Sequence, residues 1–466
     1  MHSRLAIAGF VAGGIALCAA WTIGAVHGQV AVRNQGFVPY YDEPIHYLSD
    51  DLNDPIARLQ KRLDAGHAHL DWESKGGYLR SLLAILRIPI SSQTLVFSKT
   101  SFQYKKISPQ TPRALYFNDD VYVGFVKDGK ALEVVSFDPV QGGIFYLLDV
   151  QKEGHPVFKR AELDCTQCHI TASTRGIPGV LLRSVYPTPT GTQASLSHSY
   201  VTGQDSPLKQ RWGGWYVTGT CGRQAHMGNA VVQDSEHPEV LDTATGANIT
   251  SLAGRFDTTA YLSDQSDIVA HLVLGHQTQM HNLITLTNYQ TRIAIYNEKK
   301  KGITGEAAAN EVRQTYQQPA EDLLRYLLFT NEAPLDDAVH GNSGFERDFE
   351  ALGPRDRKGR SLRDFELRTR IFRYPCSYLI YSEDWDSLPD PSKDYLYHRL
   401  YEVLTGQDNS RDFVRLHKED RKAILEILLD TKPNLPPEWH QTHRQELRAK
   451  ALFGRTRSAL QSNRPT

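Results

Sequence analysis

The chain has 466 residues, 40% of them hydrophobic and 23% charged, enough apolar surface for a sizeable core spread over two or three domains at roughly 150 residues each. Its 52 basic and 53 acidic side chains nearly cancel, which excludes recognition of nucleic acid by bulk charge. With 34 glycines and 23 prolines, it is neither collagen-like nor low-complexity.

Residues 1–28 read as a signal peptide or an N-terminal membrane anchor. Arg4 precedes an uncharged apolar run, Leu5 to Val26, which ends in His27-Gly28-Gln29. At about 22 residues the run is long for a signal peptide and long enough to span a bilayer. Cleavage after Gly28 and retention as an anchor both stay open. Either way Arg4 favours an N-terminus left in the cytoplasm. The bulk of the chain is then exported, anchored or soluble on the periplasmic side of the inner membrane. Cys18 follows Leu17 rather than a small residue, which disfavours lipidation.

Residues 29–93 read as a linker with short helices. Asp54 caps and Pro55 opens a helix through Leu63, and a second runs from Tyr78 to Leu86 before Pro89. From 94 to 151 the period changes to that of a β meander. Short β-branched and aromatic runs (Leu115–Phe117, Val121–Val126, Leu132–Phe137, Ile144–Leu148) are separated by Asn118-Asp119-Asp120, Lys127-Asp128-Gly129-Lys130 and Gln141-Gly142-Gly143.

Residues 152–300 carry the chemistry. Cys165 and Cys168 stand in Cys165-Thr166-Gln167-Cys168-His169, the pattern of covalent c-type haem attachment. Two thiols at this spacing can add to the two vinyl groups of one haem, and the adjacent His169 reaches the iron. Three other readings of a C-x-x-C pair fit less well. Zinc needs two more ligands, and no second pair exists; Cys221 and Cys376 could complete a site only by long-range convergence. A thioredoxin-like site wants a βαβ setting, and a disulfide across two residues is strained. Export to an oxidising compartment also suits haem better than structural zinc.

This motif resembles that of the c-type cytochromes. The resemblance implies one covalent haem c, His169 as an axial ligand, and electron transfer with a redox partner protein. It covers the motif and its flanks. Three further stretches, Trp212–Gly219, His226-Met227-Gly228-Asn229 and Tyr374-Pro375-Cys376-Ser377-Tyr378, are similar to large exported bacterial mono-haem proteins of unassigned activity. The same resemblance suggests that a backbone carbonyl near Pro178 accepts the imidazole N–H of His169. Arg175 and Arg183 are candidates to pair with haem propionates.

A helix from a Ser266 cap to about Leu286 would place Val269, Leu272, Val273, His276, Met280 and Leu283 within about 60° of one line. His276 is therefore a candidate second iron ligand, with Met280 and the His226-Met227 loop as others. A hydrogen-bonded core histidine and a core methionine are the alternatives. Residues 301–466 read as a helical C-terminal region, with helical spacing over Leu323–Phe329, Leu362–Phe372, Tyr395–Leu404 and Lys418–Leu429. Basic residues outnumber acidic ones between Arg347 and Arg373, either a solvated face or a docking face for an acidic partner. Cys221 and Cys376 are candidates for one disulfide. The expected architecture is α+β: an antiparallel β platform, a haem-binding middle segment and a helical C-terminal region. Electron transfer leads as the function; a peroxidase- or oxidase-like haem enzyme with an open distal site is the alternative.

Overall fold

A computed structural model describes residues 38–152 and 154–441. The leader of residues 1–28 lies outside the described residues. Among the described residues, no helix is long and apolar enough to cross a membrane. The protein is α+β, with an antiparallel sheet in the first half and a helical C-terminal region.

The segment before the first helix is irregular, as its composition suggests, but from residue 38 onwards it is packed rather than a free tether. Val38, Tyr40, Ile45, Tyr47 and Leu52 are buried. The Tyr47 hydroxyl donates to the Gly143 carbonyl at 2.8 Å, and the Arg160 guanidinium lies over its ring. Helix α1 (Pro55–Asp64) starts where Asp54-Pro55 predicts. One Asp54 carboxylate oxygen accepts from the Ile56 and Ala57 amides, while the other accepts from the Tyr146 hydroxyl at 2.7 Å. Its buried stripe is Ile56, Leu59 and Leu63, and α2 (Leu79–Ile85) follows.

The meander forms as β1 (Thr94–Val96), β2 (Arg113–Phe117), β3 (Val121–Val126), β4 (Ala131–Asp138) and β5 (Gly142–Asp149). Its turns are built by side chains. Asn118 Oδ1 accepts from the Asp120 and Val121 amides, and Asp138 Oδ1 from those of Val140 and Gln141. Strand β6 (Phe158–Arg160) adds to one edge. After helix α3 (Glu162–His169), β7 (Arg183–Val185) and β8 (Ser199–Val201) make a separate ribbon. Strand β9 (Trp215–Tyr216) closes the other edge, giving the order β6-β5-β4-β3-β2-β1-β9.

Cross-strand register sorts the sheet into two faces. Ala114, Tyr116, Val123, Val134, Ile144, Tyr146 and Leu148 share one face, all buried in the same core as α1 and α2. Phe117, Tyr122 and Phe137 lie on the other, in the core that holds most of helix α4 (Ile268–Lys301). Helix α4 is longer than the expected Ser266–Leu286. Asp267 is its cap, accepting from the Val269 and Ala270 amides, whereas the Ser266 hydroxyl is taken up by Leu95 and Tyr216.

The C-terminal region contains α5 (Gly305–Leu327), α6 (Phe345–Ala351), α7 (Glu383–Asp386), α8 (Asp390–Thr405) and α9 (Lys418–Thr431). The helix expected over Leu362–Phe372 is absent. The Glu366 carboxylate instead accepts from the amides of Arg368, Thr369 and Arg370, folding the chain back so that Phe365 pairs with Phe372. Most of the basic residues between Arg347 and Arg373 are ion-paired: Arg355 with Asp364, Arg360 with Asp356 and Glu426, Arg363 with Asp119, Arg370 with Asp420. That segment is a folded network of ion pairs rather than a free cationic face. Cys221 and Cys376 are both buried thiols, with no disulfide between them.

Candidate functional site

The motif occupies α3, a helix of 8 residues entered directly from β6. At about 100° per residue, positions three and four apart share a helix face. Cys165, Cys168 and His169 therefore point to one side. Cys165 is half-buried and Cys168 exposed, and both sulfurs are thiols.

The chain after α3 folds back to hold His169. Thr171 caps a short turn in a reciprocal arrangement with Thr174, whose hydroxyl donates to the His169 carbonyl. The Gly179 amide donates to the same carbonyl at 3.0 Å. Imidazole Nδ1 lies 2.8 Å from the Gly179 carbonyl oxygen. A carbonyl only accepts, so Nδ1 carries the hydrogen and Nε2 keeps its lone pair. The carbonyl expected near Pro178 is thus that of Gly179. Burial, more than any neighbouring charge, holds His169 below the ordinary histidine range, which keeps the ring neutral and able to coordinate.

Gly179 is fixed from two further sides. Asn282 of α4 accepts from the Val180 amide at 3.0 Å and donates to the Val180 carbonyl at 2.7 Å, while the Pro178 carbonyl accepts from the Gly143 amide of β5. A Cβ on Gly179 would stand 2.3 Å from Asn282 Oδ1, so only glycine permits this approach. The His169 ring packs on Phe145 of β5, with centroids 4.8 Å apart. Sequence reasoning missed both Asn282 and Phe145, since neither carries a local signal.

Beside His169 the second sheet face is only half covered. Arg113, Leu115, Glu133, Val135 and Leu147 share this face by register and are each partly exposed. Gly124 sits among them without a side chain, and the charges of Arg113, Glu133 and Arg183 all act on His169.

His276 stands in a different setting. It is fully buried on α4, with Nδ1 2.6 Å from Gln204 Oε1 and Nε2 2.7 Å from the Ser377 hydroxyl. Its ring stacks on Phe329 and Tyr326, and burial pushes its pKa down to about 3. Both ring nitrogens are occupied by protein partners, so these contacts describe a hydrogen-bonded core histidine. The apolar stripe that made it a candidate ligand does not single it out, because α4 is buried on every side from Ile268 to Tyr289. Met280 is likewise buried in that core. Met227 Sδ accepts from the Ser184 hydroxyl at 3.7 Å, and His226 packs edge-on against Trp212. Arg175 is half-buried in a left-handed conformation with no acceptor for its Nε, whereas Arg183 is exposed.

Among the described residues, no three His, Cys, Asp or Glu side chains converge as a metal cage. No protein-family model, curated protein or solved structure matches this chain.

Proposed function

We propose that the chain carries one haem c, attached through Cys165 and Cys168 with His169 as an axial ligand, and passes electrons to and from a redox partner protein. The observation that carries this reading is the pairing of a C-x-x-C-H helix with an imidazole whose Nδ1–H is fixed on the Gly179 carbonyl and whose Nε2 lone pair is unused. Each thiol would add across one vinyl group, the sulfur bonding to carbon and the thiol hydrogen going to the neighbouring carbon. That addition needs no oxidant. The residues fit the group: α3 presents both thiols and the imidazole on one side, next to a sheet face that the protein covers only in part. The apolar run of residues 5–26 supports a location outside the cytoplasm, on the periplasmic side of the inner membrane, with the chain anchored or released.

The test is chemical. Purified protein should retain its haem through acid–acetone extraction and on a denaturing gel, and Cys165→Ala or Cys168→Ala should weaken or abolish attachment. Colour that washes out, or zinc in its place, overturns the reading.

One observation favours a haem enzyme as a second reading. His276 and Met227, two of the three candidate second ligands, are already engaged with other side chains, and Met280 lies in the α4 core. Spectra with and without carbon monoxide separate the two. Low-spin spectra indifferent to carbon monoxide fit a carrier; prompt binding fits an open distal position.

A further inference from the structure

Arg113 is an unusual residue to find on a sheet face in contact with a core. Its Nη2 is ion-paired with Glu133 Oε2 at 2.7 Å, yet its Nε–H is buried with no acceptor, and its side chain is only 19% exposed. A buried donor left unpaired costs about 1–3 kcal/mol, and here it lies beside half-covered apolar side chains rather than inside the core. Nothing else in the described chain accepts from this guanidinium.

The surroundings hold it in place. A Cβ on Gly124 would come within 2.7 Å of Arg113 Nη2 and 2.8 Å of Nε, so the guanidinium lies directly over a strand position that lacks a side chain. Glu133, its partner, is itself fixed by the Ser101 hydroxyl at 2.6 Å and the Gln103 amide at 2.8 Å. The result is a rigid cation with donors left over, set among Leu115, Val135 and Leu147, the apolar residues that stay half-covered. Its charge reaches His169.

Resting on the haem reading above, we propose that this strip of sheet is the seat of the porphyrin, and that Arg113 binds a haem propionate through the donors Glu133 leaves. A flat apolar group laid on Leu115, Val135 and Leu147 removes their remaining surface from water. A carboxylate at its edge supplies the missing acceptor, and guanidinium geometry suits a carboxylate. Neither Arg175 nor Arg183 offers this combination of fixed partner, apolar setting and unmet donor.

The experiment measures covalent haem and midpoint potential together, in the full chain. A cation beside the haem favours the reduced, less positive state, and an anion beside it does the reverse. Arg113→Gln should therefore keep its covalent haem, held by Cys165, Cys168 and His169, while its potential falls. Arg113→Lys should recover part of that fall. Glu133→Gln should move the potential upward, and it also decides the matter where Arg113→Gln does not accumulate. Shifts of opposite sign support the seat; an ion pair far from the haem would not produce them. Potentials equal to that of the unsubstituted protein overturn it. Lack of covalent haem in the unsubstituted protein overturns the haem reading instead, so the two failures are distinct.

Discussion

The region beside α3 and the region around α4 each present a histidine on a helix, His169 and His276, and they are finished differently. Around α4 most polar side chains enter the core with partners already found, while His271 Nδ1, Gln279 Nε2 and Glu298 Oε2 are buried without one. Gln277 donates to the Tyr122 hydroxyl, Asn288 to the Pro139 carbonyl, and the Tyr289 hydroxyl to the Gln141 carbonyl. Beside α3 the chain stops short. One imidazole nitrogen is fixed and the other is left over, a guanidinium keeps an unmet donor, and three aliphatic side chains stay partly wet. What sets the α3 side apart is that its unmet donor lies among half-covered apolar side chains, the combination that the haem seat proposed above would use.

The largest effect that could break this contrast comes from exchanging the two histidines for alanine. His276→Ala leaves a cavity in a sealed core and strips partners from Gln204 and Ser377, so it should cost about 2–5 kcal/mol in denaturant unfolding while the haem spectrum persists. His169→Ala removes a ring that is partly exposed, so it should cost less stability and change the spectrum outright. A His276 variant that unfolds normally but turns high-spin would reverse the two roles.

The next test uses neighbours on one strand. Val134 and Val135 point to opposite faces of β4, and Val134 is 1% exposed whereas Val135 is half-covered. In protein without haem, Val134→Ala should cost about 2 kcal/mol and Val135→Ala about 1 or less, following the apolar area each buries. In haem-loaded protein the Val135 cost should rise towards that of Val134. If it stays the same with and without haem, the porphyrin lies elsewhere.

Legibility in the sequence followed the range of the interactions. Strands β2 to β5 and helices α1, α8 and α9 were readable because period, caps and turn residues are local: Asp54-Pro55, Asn118, Gly406 and their neighbours act on their own segment. The placement of the two cysteines and His169 on one side of a helix follows from their spacing alone, which is equally local. What the sequence misread or left open depends on distant partners. Leu362–Phe372 has helical spacing, but Glu366 folds it into a turn, and Arg363 inserts between Phe349 and Tyr378. His276 lies on an apolar line, but a helix buried all round has no single line that matters. Arg113, Gly124, Phe145 and Asn282 meet the motif only through the register of the sheet and the placement of α4.

A smaller effect is set by pH at the edge of the α4 region. Asp120 has its pKa raised to about 7, by burial first and then by the charges of Asp119 and Asp384. Between about pH 4 and 7 the folded chain then holds a proton that the unfolded chain has released, so this group's stabilising contribution is full below about pH 4 and is lost as pH rises through 7. Asp120→Asn stays neutral throughout. Its melting temperature should therefore gain on the unsubstituted protein between pH 5 and pH 8. A difference that does not change with pH would mean that Asp120 ionises normally. The buried His276 titrates with the opposite sign: its contribution is present above about pH 6.5 and declines as pH falls towards 3.

The smallest effect expected is at the solvent-exposed end of the basic stretch between Arg347 and Arg373. Arg357 is 88% exposed and lies 3.4 Å from Asp430, an ion pair held in water. Such pairs gain little, because solvent screens the attraction and a long side chain loses freedom in making it. Arg357→Ala should shift the urea midpoint by the equivalent of less than about 0.5 kcal/mol. Arg363 is the instructive counterpart in the same stretch. Its side chain is 6% exposed, it pairs with Asp119, and it lies over two aromatic rings at 4.5 and 4.4 Å. Removing it leaves Asp119 without that partner and opens a gap under Phe349 and Tyr378, so Arg363→Ala should cost several times as much, about 3 kcal/mol. Equal costs at the two positions would show that pairing, not burial, sets the worth of an arginine here. The ratio is expected because Arg363 is buried against aromatic rings, whereas Arg357 belongs to the solvent.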